Sequence, residues 1–278
     1  MNTYLLLDVS AIAYRSFYVM GGLSYQGNDT GVIYGVFREI DRLQKRYPDG
    51  KIVFCFDGGS GKRKASSSEY KANRRTDLED AEKVIAKCNL REQLKQLRKS
   101  YLHAAGFRNI FYQKGYEADD LIASFCRDCK KIKSVDKAVI ITSDQDLWQL
   151  LRTNRVVWQN ASTGEIITAT DFKEKWKIPP NKWADVKAIA GCSSDNVTGL
   201  RGVGEKTAAK YLVGELSTKT KAFQAIQSNT RLYFDNLMLT KLPFKGTITV
   251  RDKLVDDCIT QSTWNKVMRA LGIRSLIR

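Results

Sequence analysis

Tyr4-Leu5-Leu6-Leu7-Asp8 is a short unbroken apolar run that ends on a carboxylate. Apolarity without alternation suits a strand covered on both faces, as in a parallel sheet. The pattern returns in Lys51-Ile52-Val53-Phe54-Cys55-Phe56-Asp57 and again in residues 137–144, which end on Asp144. Between the first two runs, Val32, Ile33, Val36, Phe37, Ile40 and Leu43 fall at helical spacing, and Pro48 and Gly50 close that helix. Strand, helix and strand imply a right-handed crossover. Leu90, Leu94, Leu97, Tyr101 and Ala104 predict a long helix over 78–105, stopped at Gly106, with a short strand over 107–112 behind it. Alternation on either side of Gly164 predicts a hairpin over 155–168. The fold class is therefore α/β, a mainly parallel central sheet flanked by helices.

Pro179-Pro180 marks a boundary between a first domain, 1–180, and a smaller helical one, 181–278. Helical pieces are predicted in the latter at 182–190, 205–212, 221–227, 230–239 and 262–271.

Lys and Arg number 46 against 30 Asp and Glu, a formal net charge of +16. A basic body carrying a local acidic cluster suits a metal-dependent enzyme acting on polyanions. No apolar run is long enough to span a bilayer and none has the form of a secretory signal, so a cytoplasmic chain with reduced thiols is expected. Cys126 and Cys129 form a CxxC within a helical stretch. No second pair accompanies it, which argues against a zinc or redox motif. His103 is the single histidine, so a histidine-based triad is excluded.

In Tyr116-Glu117-Ala118-Asp119-Asp120 three carboxylates precede an apolar helical run. If the strands are parallel, Asp8, Asp57 and Asp144 end on one edge, where open α/β sheets bind ligands. Glu117, Asp119, Asp120 and Asp146 belong to the same rim. The alternative is that each Asp caps the next helix; for seven acids with no basic residue between them, convergence on a cation is the better reading. Neither thiolate nor imidazole joins the set, so hard ions, two Mg²⁺ or Mn²⁺, are implied. Two such ions can activate a water and stabilise a leaving oxygen in phosphodiester hydrolysis.

Residues 58–77 are glycine-rich and then strongly basic, with Lys62, Arg63, Lys64, Lys71, Arg74 and Arg75 against Glu69 and Asp77. So little apolar content cannot pack into a core, and a loop touching substrate is expected. Gly199-Leu200-Arg201-Gly202-Val203-Gly204-Glu205-Lys206-Thr207 lacks the Gly-Lys pair of a phosphate loop. A glycine turn between two helices, with Lys206 opening the second, suits a grip on a nucleic-acid backbone.

These pieces, taken in order, resemble the structure-specific 5′ nucleases, namely the 5′ nuclease domain of bacterial DNA polymerase I and the phage flap endonucleases. The likeness is carried by Leu-Leu-Leu-Asp8 with Ala13-Tyr14-Arg15-Ser16-Phe17, by Phe56-Asp57, by Glu69-Tyr70-Lys71-Ala72-Asn73-Arg74, by Gly115-Tyr116-Glu117-Ala118-Asp119-Asp120, by Thr142-Ser143-Asp144-Gln145-Asp146-Leu147, by Ser194-Asp195-Asn196, and by Gly202-Val203-Gly204-Glu205-Lys206-Thr207. It runs from residue 4 to about 212.

The resemblance implies a helical arch over about 60–100 and a helix-hairpin-helix at about 186–212, with a K⁺ ion on the hairpin carbonyls. It implies a first metal on Asp8, Asp57, Glu117 and Asp119 and a second on Asp120, Asp144, Asp146 and Asp195. Lys71 and Arg74 would polarise the scissile phosphate, with Tyr70 stacked nearby. Arg15, Lys62, Arg63, Lys64, Arg75, Gly202, Gly204, Lys206 and Thr207 would contact DNA. One departure stands out. The family pattern Gly-Asp-x-Ser-Asp-Asn reads Gly191-Cys192-Ser193-Ser194-Asp195-Asn196 here, so a thiol replaces a second-site acid and should weaken Mg²⁺ there.

The expected function is a nuclease releasing 5′ flaps and nucleotides from 5′ ends, on DNA and RNA–DNA hybrids. It would act as a monomer and as a polypeptide separate from any polymerase, in a bacterium or its phage. A DNA-junction binding protein with impaired catalysis is the competing expectation, and a toxin-like ribonuclease a third.

Overall fold

The computed structural model describes residues 2–73, 81–128 and 136–278. The chain opens with β1 (Thr3–Asp8), α1 (Val9–Met20), a small hairpin of β2 (Ser24–Tyr25) and β3 (Asn28–Asp29), α2 (Gly31–Arg46) and β4 (Gly50–Phe56). Next come α3 (Gly61–Ser66) and α4 (Ala81–Gln96), the latter continuing through a π turn at Leu97–Tyr101 into α5 (Leu102–Ala104). β5 (Ile110–Tyr112), α6 (Ala118–Asp128), β6 (Lys137–Thr142), a 3₁₀ turn at Gln145–Leu150, β7 (Val156–Asn160) and β8 (Ile166–Ile167) complete the sheet. Then follow α7 (Ala169–Trp176), α8 (Trp183–Ala190), α9 (Glu205–Leu212), α10 (Lys221–Ser228), α11 (Thr230–Thr240) and α12 (Gln261–Ala270).

The six strands lie in the order β5-β4-β1-β6-β7-β8, and every neighbouring pair is parallel except β7 with β8. The unbroken apolarity of β1 has a direct cause. Leu6 points into one core with Val53, Ile140, Phe125 and Trp148, while Leu5 and Leu7 point into the other with Phe54, Ile141, Phe37 and Ile40. Both faces are covered, so no position can be polar. Residues 155–168 do pair as a hairpin, through Trp158 with Ile167 and Gln159 with Ile166. Its first strand also joins β6 in parallel, so the hairpin is the margin of the main sheet.

The C-terminal third serves both cores. Trp183, Val186 and Ile189 of α8 enter the first, and Trp264, Val267 and Met268 of α12 enter the second. The helix α7 is an element the apolar spacing did not indicate. Its signal is a capping box, in which Thr168 Oγ1 accepts the Asp171 amide and the Asp171 carboxylate accepts the Thr168 amide.

Residues 58–73 depart from expectation. Two side chains of this segment are core rather than solvated: α3 drives Arg63 inward and the following turn buries the Tyr70 ring, both about as buried as core leucines, while Lys62, Ser66, Ser68 and Glu69 stay exposed. Of the expected arch, residues 74–80 lie outside the described residues, Arg74 and Arg75 among them.

Candidate metal centre and nucleic-acid interface

The carboxyl ends of β4, β1 and β6 stand side by side. Asp8 closes β1. Its Oδ1 accepts the Ala11 amide at 3.0 Å and its Oδ2 accepts Thr142 Oγ1 at 2.9 Å. Asp57, just past β4, accepts the Ala118 amide at 2.8 Å and so ties the start of α6 to the rim. Asp144, two residues past β6, accepts the Asp146 amide at 2.8 Å. Capping and convergence therefore coexist. Burial, with the charges of Asp57 and Asp144, pushes the Asp8 carboxyl up to about 7. Asp144 is pushed up to about 6 by burial and then by Asp146. The half-buried Asp119 is held well above the carboxylate range by burial, Asp144, Asp8 and Glu117, with Lys71 opposing. Burial leads each of these shifts, and like charge adds to it along the rim, from Asp57 and Asp8 through Asp119 and Asp144 to Asp146 and Asp195.

The expectation that no basic residue enters this set is corrected by the structure. Asp120 is fully buried, and Arg63 grips it with two bonds, Nη1 to Oδ2 at 2.6 Å and Nη2 to Oδ1 at 2.7 Å. The amides of Glu117 and Phe244 fill its remaining acceptor sites, at 3.1 and 2.8 Å. Its oxygens are thus spent on a structural ion pair, and it is not placed to hold a metal. Arg63 likewise is not a DNA contact. Its Nε donates to Leu239 O at 2.9 Å, and its guanidinium lies over the rings of Phe244 and Tyr70. Burial disfavours that charge, but the bonds to Asp120 outweigh it and raise the pKa above its ordinary value.

Tyr70 is tied rather than stacked at a surface. Its hydroxyl lies 3.0 Å from both Glu117 Oε2 and Asp195 Oδ2, and burial, then these two charges, raise its pKa. One phenolic proton cannot serve two carboxylates, and Lys71 supplies the balance. Its Nζ bonds to Glu117 Oε1 and stands 3.5 Å from Asp195 Oδ1. The turn that presents both residues is docked by its backbone. Lys71 (φ +53°) donates its amide to Asp195 O at 2.7 Å, Asn196 Nδ2 donates to Glu69 O at 2.7 Å, and Asn73 Nδ2 donates to Ser193 O at 3.1 Å.

A second acidic group lies beside this one. One ligand atom each from Asp146, Cys192 and Asp195 fall within 4.8 Å of one another. Cys192 and Val197 exchange backbone bonds at 2.9 Å, which fixes the loop. The loop is entered through Gly191 at φ +82°, where a side chain would strike the backbone of Gly199 and Val197. Lys187, unforeseen from the sequence, lies 3.1 Å from Asp146 Oδ1 and 2.8 Å from Glu205 Oε1. Its burial is outweighed by these two charges, and its pKa is raised. The signal for it was present, a single cation set among Ala184, Val186, Ala188 and Ile189 of α8.

The remaining basic candidates divide. Arg15 is turned inward to Ala161 O and to the buried Glu39, 3.3 Å away, so it is not free for a phosphate. Lys62 is exposed and Lys64 half-buried. At the glycine turn, Val203 inserts into the core, leaving Gly202 (φ +77°) and Gly204 exposed on either side. Gly204 caps α9 with no side-chain bond, Lys206 is exposed and Thr207 half-buried. Because Lys187 joins Asp146 to Glu205 in the first turn of α9, this turn and the carboxylate rim are parts of one surface.

Residues 3–177 match the family described as 5′-3′ exonuclease, N-terminal resolvase-like domain. A 5′-3′ exonuclease of Mycoplasmopsis pulmonis is 32% identical over 226 residues, covering 81% of this chain and 70% of that protein. The thermostable DNA polymerase I of Thermus aquaticus is 32% identical over 243 residues, 85% of this chain but 27% of its own length. The fold is that of the bacteriophage T5 D15 flap endonuclease, solved as a pseudo-enzyme-product complex with DNA and metal ions (TM-score 0.70, 21% identity, 98% of each chain). The chain belongs to the 5′-3′ exonuclease family, and it is a nuclease. It spans about a quarter of the polymerase. Among the described residues no helix is long and apolar enough to cross a membrane.

Proposed function

We propose that the chain is a divalent-metal-dependent, structure-specific nuclease that cuts phosphodiester bonds at 5′ flaps and at 5′ ends of branched or duplex DNA, RNA–DNA hybrids included. The observation that carries this is the continuous rim from Asp8 to Asp195, joined through Lys187 to an exposed basic glycine turn. Oxygen donors dominate the rim, which fits Mg²⁺ or Mn²⁺. Asp8, Asp57, Glu117 and Asp119 would hold one ion; Asp144, Asp146 and Asp195 would hold the other. Bound there, the two ions supply Lewis-acid polarisation of the phosphate and activation of water.

The chain's own residues do the rest. Lys71 orients Glu117 and brings a positive charge beside the rim where a phosphate would lie, a task shared with Arg74. Tyr70 holds Glu117 and Asp195 at a fixed separation. Gly202, Gly204, Lys206 and Thr207 take the duplex backbone, with K⁺ on the hairpin carbonyls; exposed Lys62 and half-buried Lys64 line the approach, and Arg75 adds a further DNA contact. In this reading residues 1–180 cut and 181–278 grip. The protein works as a cytoplasmic monomer in replication or repair, in a bacterial cell or its phage.

A labelled 5′-flap duplex tests the proposal. Incubation with Mg²⁺ or Mn²⁺ is expected to release the flap with a 5′-phosphate on the product. Tight binding without cleavage under either ion would instead establish a junction-binding protein, the reading that buried Cys192 favours. Cleavage of single-stranded RNA but not of flaps would establish the toxin-like ribonuclease.

A further inference from the structure

Cys192 is unlike the other described cysteines. Cys55 and Cys126 lie in the core, while Cys88 and Cys258 are exposed. Cys192 is buried, with Sγ 3.8 Å from Asp146 Oδ2 and 3.1 Å from Ser194 Oγ. Among the described residues, Asp146, Cys192 and Asp195 are the group of such side chains compact enough to close on one ion. We propose that they form a mixed sulfur–oxygen site that takes a thiophilic divalent ion of the zinc class in preference to Mg²⁺. The inference rests on the reading of the rim as a nuclease metal centre and deepens it, by naming the ion to which the second position responds.

The donor chemistry argues for it. Mg²⁺ demands a near-ideal octahedron of small, hard oxygens and sheds water reluctantly, and a sulfur donor meets neither need. Zn²⁺ accepts thiolate and carboxylate together, and these three donors leave its fourth position to Asp144, which accepts the Asp146 amide next to them, or to water or substrate. Lys187 approaches Asp146 through Oδ1, so Oδ2 is the oxygen that faces the sulfur. Paired backbone bonds between Cys192 and Val197, with the Asp195 amide on Cys192 O at 3.2 Å, hold the sulfur and the Asp195 carboxylate on one rigid loop. The donors are therefore set before an ion arrives. On ligation the thiol proton passes to solvent.

Cd²⁺ is the probe, added to the reduced full chain while the ultraviolet thiolate-to-cadmium charge-transfer band is recorded. The wild type is expected to give the band and to keep it in a large molar excess of Mg²⁺. Cys192→Ser should lose it. Cys192→Asp should lose it too and bind Mg²⁺ at least roughly tenfold more tightly by isothermal titration. A band unchanged in Cys192→Ser, or erased by equimolar Mg²⁺, would overturn the site. The band requires no turnover. A wild type that shows it yet cuts no flap under Mg²⁺, Mn²⁺ or Zn²⁺ would overturn the nuclease reading alone; flap cleavage without the band would overturn the ion preference alone.

Discussion

At the scale of single residues, the rim buries carboxylates and crowds them against like charge, in that order of effect. Asp8 titrates at about 7 and Asp144 at about 6 in the folded chain, against 3.8 for a free aspartate. A carboxyl raised in the fold binds more protons there than in the unfolded chain, so stability falls as pH rises between the two values. With divalent ions chelated, the melting temperature is expected to drop across the window from 3.8 to about 7 set by Asp8. Asp8→Asn should flatten much of that fall. A melting temperature that climbs over the window in chelator would contradict the crowding of these acids. Residue identity alone showed the acids but not their counter-charges. Lys71 reaches Glu117 across 46 residues, and Lys187 reaches Asp146 across 41. Only the folded backbone puts them together.

At the scale of elements, the pair Arg63–Asp120 joins α3 to the first turn of α6 and, through Leu239 O and the Phe244 amide, to the end of α11 and the segment behind it. Breaking one partner of a buried, doubly bonded pair strands a charge, which costs about 3–5 kcal/mol. Arg63→Met should show this loss in urea unfolding, and Arg63→Met with Asp120→Leu should regain most of it. Equal losses in the single and double variants would mean that packing of the guanidinium on Phe244 and Tyr70, not charge, does the work. Elements differed in how legible they were. Buried strands announce themselves because both faces are apolar, and the stripe of Leu90, Leu94 and Leu97 because one face is; beyond it the π turn shifts the buried face to Leu102 and Ala105 and leaves Ala104 exposed. Arg63 was misleading because it sits between Lys62 and Lys64 in what looked like a solvated charge run. A helix only six residues long gives too little periodicity to show which of the three turns inward.

At the scale of the whole molecule, topology explains why so much of the site could be read in advance. Parallel strands bring every strand-end acid to one edge, so a repeated local pattern becomes a three-dimensional cluster without any long-range information. The grip on a polyanion is different, because it depends on the summed field of a +16 chain and on which cations stay exposed. Arg15 and Arg63 are spent on Glu39 and Asp120, whereas Arg201, Lys206 and Lys210 remain exposed around the glycine turn and the α9 that follows it. Binding that rests on phosphate contacts releases counterions, so affinity should fall steeply with salt for any duplex sequence. Lys206→Ala is expected to weaken duplex binding uniformly across sequences and to make the log–log salt slope shallower by about 1. Fluorescence anisotropy over a salt series, in Ca²⁺ so that the duplex stays intact, measures both. A slope equal to wild type would place the duplex elsewhere on the surface. The same slope lowered by Arg15→Ala would mean that this arginine leaves Glu39 when DNA binds.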